Sequence, residues 1–91
     1  MSGLQEITVV IVNRAGLHAR PASEFVKLAG KFSSEVRLEK DGFEVNGKSI
    51  MGVLMLAAER GTHLVIRAEG EDASEAVEAL ADLVRRGFEE E

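Results

Sequence analysis

A histidine, an arginine and the chain's only proline lie within four positions of one another, as His18, Arg20 and Pro21 in the stretch NRAGLHARPAS. An unprotonated imidazole nitrogen is a nucleophile. A guanidinium two residues away can pair its planar fork with phosphoryl oxygens. Pro21 suits only the early positions of a helix, so a helix start lies within about a turn of the histidine. The first turn of a helix has N–H groups without partners and a partial positive charge, which is why anions bind there. Such an end disfavours a protonated ring. It favours the neutral, nucleophilic imidazole, and it favours an attached phosphoryl group still more. Whether His18 or Arg20 is the cap stays open, because Pro21 biases its predecessor away from helical dihedrals. Gly16 adds backbone freedom and permits close approach of another surface. Taken singly, each of these residues is an ordinary surface side chain or helix starter. As a set they point to a histidine that accepts and returns a phosphoryl group.

Periodicity supplies the elements that hold this loop. The β-branched run Ile7 to Val12, ended by NRAG, predicts a strand. Ala22, Phe25, Val26 and Ala29 form the apolar stripe of a helix that Gly30 closes. Val36 and Leu38 alternate with Glu35, Arg37 and Glu39; Asp41-Gly42 turns the chain; Phe43 and Val45 alternate again. That is a hairpin with one polar face. Ser49 is placed as the N-cap of a short apolar helix, IMGVLMLAAERG, closed by Gly61 and weakened by Gly52 by up to ~1 kcal/mol. Val53 and Leu56 are assigned to the core, while Met51, Leu54 and Met55 are expected to be partly exposed. Leu64, Ile66 and Ala68 alternate with His63, Val65 and Arg67 in a fourth strand, which makes His63 a surface residue. Asp72 and Glu75 are spaced as a capping box for the last helix, whose stripe is Ala76, Val77, Leu80, Leu83 and Val84. Arg85 and Arg86 suit its negative end. The order β-α-β-β-α-β-α, with strands that are polar on one face, predicts an α+β fold in two layers.

A chain of 91 residues is one domain, 1–91, and buries roughly 60% of its unfolded surface, too little for a deep enclosed cleft. With 16 acids against 11 bases, the net charge of −5 argues against nonspecific nucleic-acid binding. The absence of cysteine excludes disulfides, thiolate zinc sites and cysteine nucleophiles. No metal site and no cofactor is expected. The apolar run near the N-terminus is too short for a signal peptide or a membrane span, so a cytoplasmic protein is expected, with no membrane partner.

GLHARPAS closely resembles the active-site motif of the HPr family, the histidine-containing phosphocarriers of the phosphoenolpyruvate-dependent sugar phosphotransferase system, and KSIMG resembles that family's regulatory serine region. The likeness runs from about Ile7 to Phe88, and two separated motifs at family spacing make it specific. The resemblance implies an open-faced β-sandwich with sheet order 1-4-2-3 and three helices on one face. It implies that phosphorylated enzyme I transfers its phosphoryl group to His18, at ring nitrogen Nδ1, with Arg20 stabilising the group. An enzyme IIA domain or protein then receives it, so the chain is a relay intermediate and not an enzyme. It further implies that HPr kinase/phosphorylase phosphorylates Ser49 and thereby slows phosphorylation of the histidine. Partners would dock on Ala19, Ser23 and Lys27 beside the site and on Ile50, Met51, Leu54 and Met55. A monomer is expected. Leu54, Met55 and the GFEEE ending resemble the nitrogen-related paralogue NPr, whereas KSIMG resembles the sugar branch. Two further alternatives are a binding module that is never phosphorylated and a hydrolase using His18 as base. The first is disfavoured by the presence of His18, the second by the lack of a nearby relay residue.

Overall fold

The strand with the cleanest alternation lies at the centre of the sheet. Leu64, Ile66 and Ala68 are buried, and their neighbours along the chain are exposed or half-buried. The computed structural model describes residues 3–90, so residues 1, 2 and 91 of the expected domain lie outside it. The elements run β1 (Leu4–Val10), α1 (Ala19–Ala29), β2 (Glu35–Lys40), β3 (Phe43–Asn46), α2 (Ile50–Met55), β4 (His63–Glu69) and α3 (Ala73–Arg85), followed by a short 3₁₀ turn, Gly87–Glu89. The sheet order is β1-β4-β2-β3 with every pairing antiparallel, the order that the family resemblance implies. The three helices cover one face. Phe25 of α1, Leu38 of β2, Ile66 of β4 and Leu80 of α3 form the centre of the shared core.

The hairpin follows its turn chemistry. Lys40 pairs with Phe43, and the two loop residues Asp41 and Gly42 both have positive φ, 51° and 84°. This is the turn whose twist matches the flanking strands. On the uncovered face, Arg67 of β4 holds Glu6 of β1, Glu39 of β2 and Glu44 of β3 together. Glu39 and Glu44 stand directly opposite each other, a like-charge pairing that the guanidinium neutralises. Glu39, then Glu6, raise the Arg67 pKa further, so the cation is present at every accessible pH.

Three local expectations differ from the structure. β1 starts at Leu4 and ends at Val10, because its length is set by β4, whose first residue His63 pairs with Val10. Ile11 still makes two backbone bonds with the loop that precedes β4, donating to Thr62 O and accepting from Gly61 N–H. Gly30 closes α1 as expected, with a right-handed φ of −66°. The helix after Ser49 stops at Met55, well before Gly61. Its last turn tightens through Leu56 N–H to Val53 O and Ala57 N–H to Leu54 O, and the Lys40 ammonium takes up the Leu56 carbonyl at 3.0 Å. Leu56 and Ala58 are then buried from irregular backbone.

Finally, Asp72 forms no capping box. Its carboxylate accepts from Ser33 N–H (2.9 Å), Ser34 N–H (3.0 Å) and the Ser34 hydroxyl. It thereby pins the start of α3 to the α1–β2 connection. The Ser34 hydroxyl, then the Ser33 amide, hold the Asp72 pKa at about 2, below its ordinary 3.8. A carboxyl depressed on folding contributes stability above its unfolded pKa, and that contribution is lost as pH falls through the folded value. Acid titration of stability between about pH 4 and pH 2 is therefore expected to be shallower in Asp72→Asn than in the wild type. Equal slopes in denaturant titrations across that window would refute the assignment.

Candidate functional site

His18 is the residue at which the chain turns from loop to helix. Its backbone is extended (φ −79°, ψ −170°), and its carbonyl accepts the first helical bond, from Ala22 N–H at 3.0 Å. Arg20 is therefore already helical despite the proline that follows it. The ring makes no capping bond to the helix. The N–H groups of Ala19 and Arg20 precede that first helical bond, so they have no intrahelical acceptor and are available to an anion; Pro21 has no N–H to offer. The His18 side chain is 44% exposed, open enough for an enzyme to reach.

The loop under the ring is fastened at Gly16, where φ is +71° and a Cβ would lie 2.5 Å from the Ala58 carbonyl oxygen. The next residue, Leu17, donates to that same oxygen at 2.9 Å and is buried. The surface that Gly16 approaches is thus the chain's own segment after α2. Gly16→Ala would combine a left-handed alanine with a backbone clash, and is expected to destabilise the protein by about 2–4 kcal/mol in denaturant titrations. A loss below about 0.5 kcal/mol would contradict this reading of the loop.

A carboxylate from the far end of the chain completes the site. Glu90 Oε1 lies 3.0 Å from His18 Nε2, and Asn13 Nδ2 donates to the same oxygen at 3.1 Å. The Asn13 amide also donates to Gly16 O at 2.9 Å. Both neighbours of its nitrogen are acceptors, which fixes the orientation of this 1% exposed side chain and leaves Oδ1 without a protein partner. The Glu90 pKa is lowered, chiefly by its hydrogen bond with His18, then by Asn13, with Arg20 adding charge attraction. The tail reaches this point through Gly87, Phe88 and Glu89, all in the left-handed region with φ of 67°, 57° and 60°. Phe88 is buried, which offsets the local strain. Neither Asn13 nor Glu90 was legible as a site residue. Asn13 reads as part of a turn, and Glu90 is 72 positions from the histidine.

Residues 5–86 match the family described as PTS HPr component phosphorylation site. The chain belongs to the HPr family. It is 46% identical to the phosphocarrier protein HPr of Neisseria meningitidis serogroup A over 91% of this chain and 93% of that protein. The crystal structure of an HPr from Thermoanaerobacter tengcongensis superposes with a TM-score of 0.92 at 49% identity, covering 96% of this chain and 98% of the other. Crh of Bacillus subtilis, a catabolite repression protein solved as a dimer with a swapped domain, is 51% identical. It covers 81% of this chain and 85% of its own, with a TM-score of 0.75. HPr proteins are phosphocarriers of the phosphotransferase system, not catalytic enzymes.

The other residues of HPr interest lie on two helices packed side by side, α1 and α2. On α1, Ala19, Arg20, Ser23 and Lys27 are exposed. A groove of about 400 Å³ beside Arg20 is lined by Glu24, Lys27, Lys31, Arg86 and Phe88 among others. On α2, Ile50 is exposed, Leu54 is half-buried, and Met51 and Met55 are 72% and 64% exposed. Val53 and Leu56 are in the core as expected. Ser49 caps α2: its hydroxyl accepts from Gly52 N–H at 3.1 Å. Gly52 itself lets α2 sit against β3, since a Cβ there would lie 3.2 Å from Asn46 O. His63 is on the uncovered sheet face and exposed. Among the described residues no helix is long and apolar enough to cross a membrane.

Proposed function

We propose that this chain carries a phosphoryl group on His18, taking it from phosphorylated enzyme I and delivering it to an enzyme IIA of sugar uptake. One observation carries the reading: a half-exposed imidazole at the N-cap of α1, beside the free N–H groups of Ala19 and Arg20. A tetrahedral group on the ring meets donors already oriented toward an anion. The Arg20 guanidinium, free of any protein carboxylate bond among the described residues, can pair with its oxygens. A carrier must bind the group only moderately, since a deep well would stop onward delivery. An open rim site with two amides and one arginine meets that need.

Docking is assigned to Ala19, Ser23 and Lys27 with Ile50, Met51, Leu54 and Met55, a basic and apolar surface in which flexible methionines fit more than one partner. Ser49 is assigned as a regulatory phosphorylation site for an HPr kinase/phosphorylase. The working species is a monomer in the cytoplasm, with the single domain spanning 1–91. KSIMG favours the sugar branch over NPr.

The test is incubation with phosphoenolpyruvate and enzyme I, followed by phosphorus NMR. An acid-labile phosphoimidazole signal is expected. No signal with enzyme I from either the sugar or the nitrogen-related branch would replace this reading by a pure binding module. Phosphorylation by the nitrogen-related enzyme I alone would assign the chain to NPr.

A further inference from the structure

Resting on the proposed carrier role of His18, and deepening it, we propose that Glu90 is a positioning residue: it holds the His18 proton on Nε2 and so leaves the Nδ1 lone pair to attack phosphorus. The argument starts from the contact itself. Glu90 Oε1 is 3.0 Å from Nε2, and an ionised carboxylate can only accept. Nε2 must therefore be the donor, and in a neutral ring the other nitrogen has no proton. The carboxylate is not a passing neighbour. The buried Asn13 amide fixes the same oxygen at 3.1 Å, and the Glu90 side chain is only 19% exposed. Three successive left-handed residues, two of them not glycine, bring it there. Backbone of that kind is retained where surrounding contacts over-determine it. The groups that face this contact are Arg20 from α1, which attracts Glu90, and Asn13 from the loop; both favour the ionised carboxylate.

The transfer balances without a base. The Nδ1 lone pair forms the N–P bond, while the bond from phosphorus to the donor breaks and its electron pair stays with the donor. No proton leaves His18, because the only ring proton is on Nε2 and stays hydrogen-bonded to Glu90. The product is an N-phosphorylated imidazolium with a carboxylate counterion. On delivery the N–P bond breaks, its electron pair returns to Nδ1, and the starting tautomer is restored. Holding the Nε2 proton throughout also keeps the ring a good leaving group. One carboxylate thus serves both directions of transfer.

The tautomer can be read directly from two-bond proton–nitrogen correlations of ¹⁵N-histidine protein, without any partner, at about pH 8.5 where an ordinary imidazole is neutral. The chain has two histidines, so His63 is an internal control. In the wild type, His18 Nε2 is expected to resonate as a protonated nitrogen and Nδ1 as an unprotonated one. In Glu90→Ala the two His18 resonances are expected to move toward each other while His63 stays put. Phosphorylation by enzyme I is expected to slow about tenfold, the equivalent of one charge-assisted hydrogen bond. A protonated Nδ1 in the wild type, superposable spectra of wild type and Glu90→Ala, or unchanged phosphorylation rates would each overturn the proposal. A tautomer that responds to Glu90→Ala in a protein that enzyme I never phosphorylates would instead refute the carrier role alone.

Discussion

His18→Ala is expected to accept no detectable phosphoryl group from phosphorylated enzyme I, a loss of more than about 10³-fold, while remaining folded. The acceptor atom is gone, and the structure offers no substitute. Among the described residues the only other histidine, His63, lies on the uncovered sheet face, away from the helix start. The stability side of the prediction follows from geometry. The ring is 44% exposed and caps nothing, and its contact with Glu90 is at the surface. Its removal should change stability by no more than about 1 kcal/mol. Phosphorus NMR with phosphoenolpyruvate and enzyme I reads the first part, and denaturant titration reads the second. A phosphoimidazole signal that persists in the mutant would overturn the site assignment.

Ser49→Asp is expected to slow phosphorylation by enzyme I about 10- to 100-fold at low salt, with little loss of stability. The aspartate can accept from Gly52 N–H as the serine does, and a negative charge suits a helix start, so α2 should stay capped. The same charge sits one residue before Ile50 and two before Met51, on the assigned docking surface. There it repels an acidic partner while the histidine itself is untouched. The rate difference should shrink toward high ionic strength, because exposed charges are screened within about 3 Å at 1 M salt. Ser49→Ala is the complementary control. It should cost about 1 kcal/mol of stability through the lost cap and leave the rate near that of the wild type. Equal rates for Ser49→Asp and wild type at low salt would rule out a regulatory role for this serine.

Much of the fold was legible because its signals are local. Alternation in Val36, Leu38, Leu64, Ile66 and Ala68 identified strands and their buried faces, and Asp41-Gly42 named the hairpin turn. The sheet order itself came from the family resemblance, since periodicity does not say which strand stands next to which. Errors fell where a neighbour, not the segment, sets the outcome. Asp72 has the sequence of a cap, but two amides and a hydroxyl from the α1–β2 connection compete for its carboxylate. The α2 helix looked longer because Leu56 and Ala58 are apolar, and only packing shows that they are buried from irregular backbone.

At the site the same division holds. The types and spacing of Gly16, His18, Arg20 and Pro21 were enough to place an imidazole near unpaired helix amides, since those effects act within one turn. Local signals do not say which of His18 and Arg20 is the cap, and the first helical bond, to the His18 carbonyl, decides it. The chain by itself therefore determined that a nucleophile and an anion perch occur together. Only the tertiary structure set the nucleophile's surroundings, bringing Glu90 from the far terminus to Nε2 and seating Gly16 against Ala58. Those contacts span tens of residues, and they exist only because the buried core holds the β1–α1 loop, the segment after α2 and the turn after α3 at one rim of the sheet.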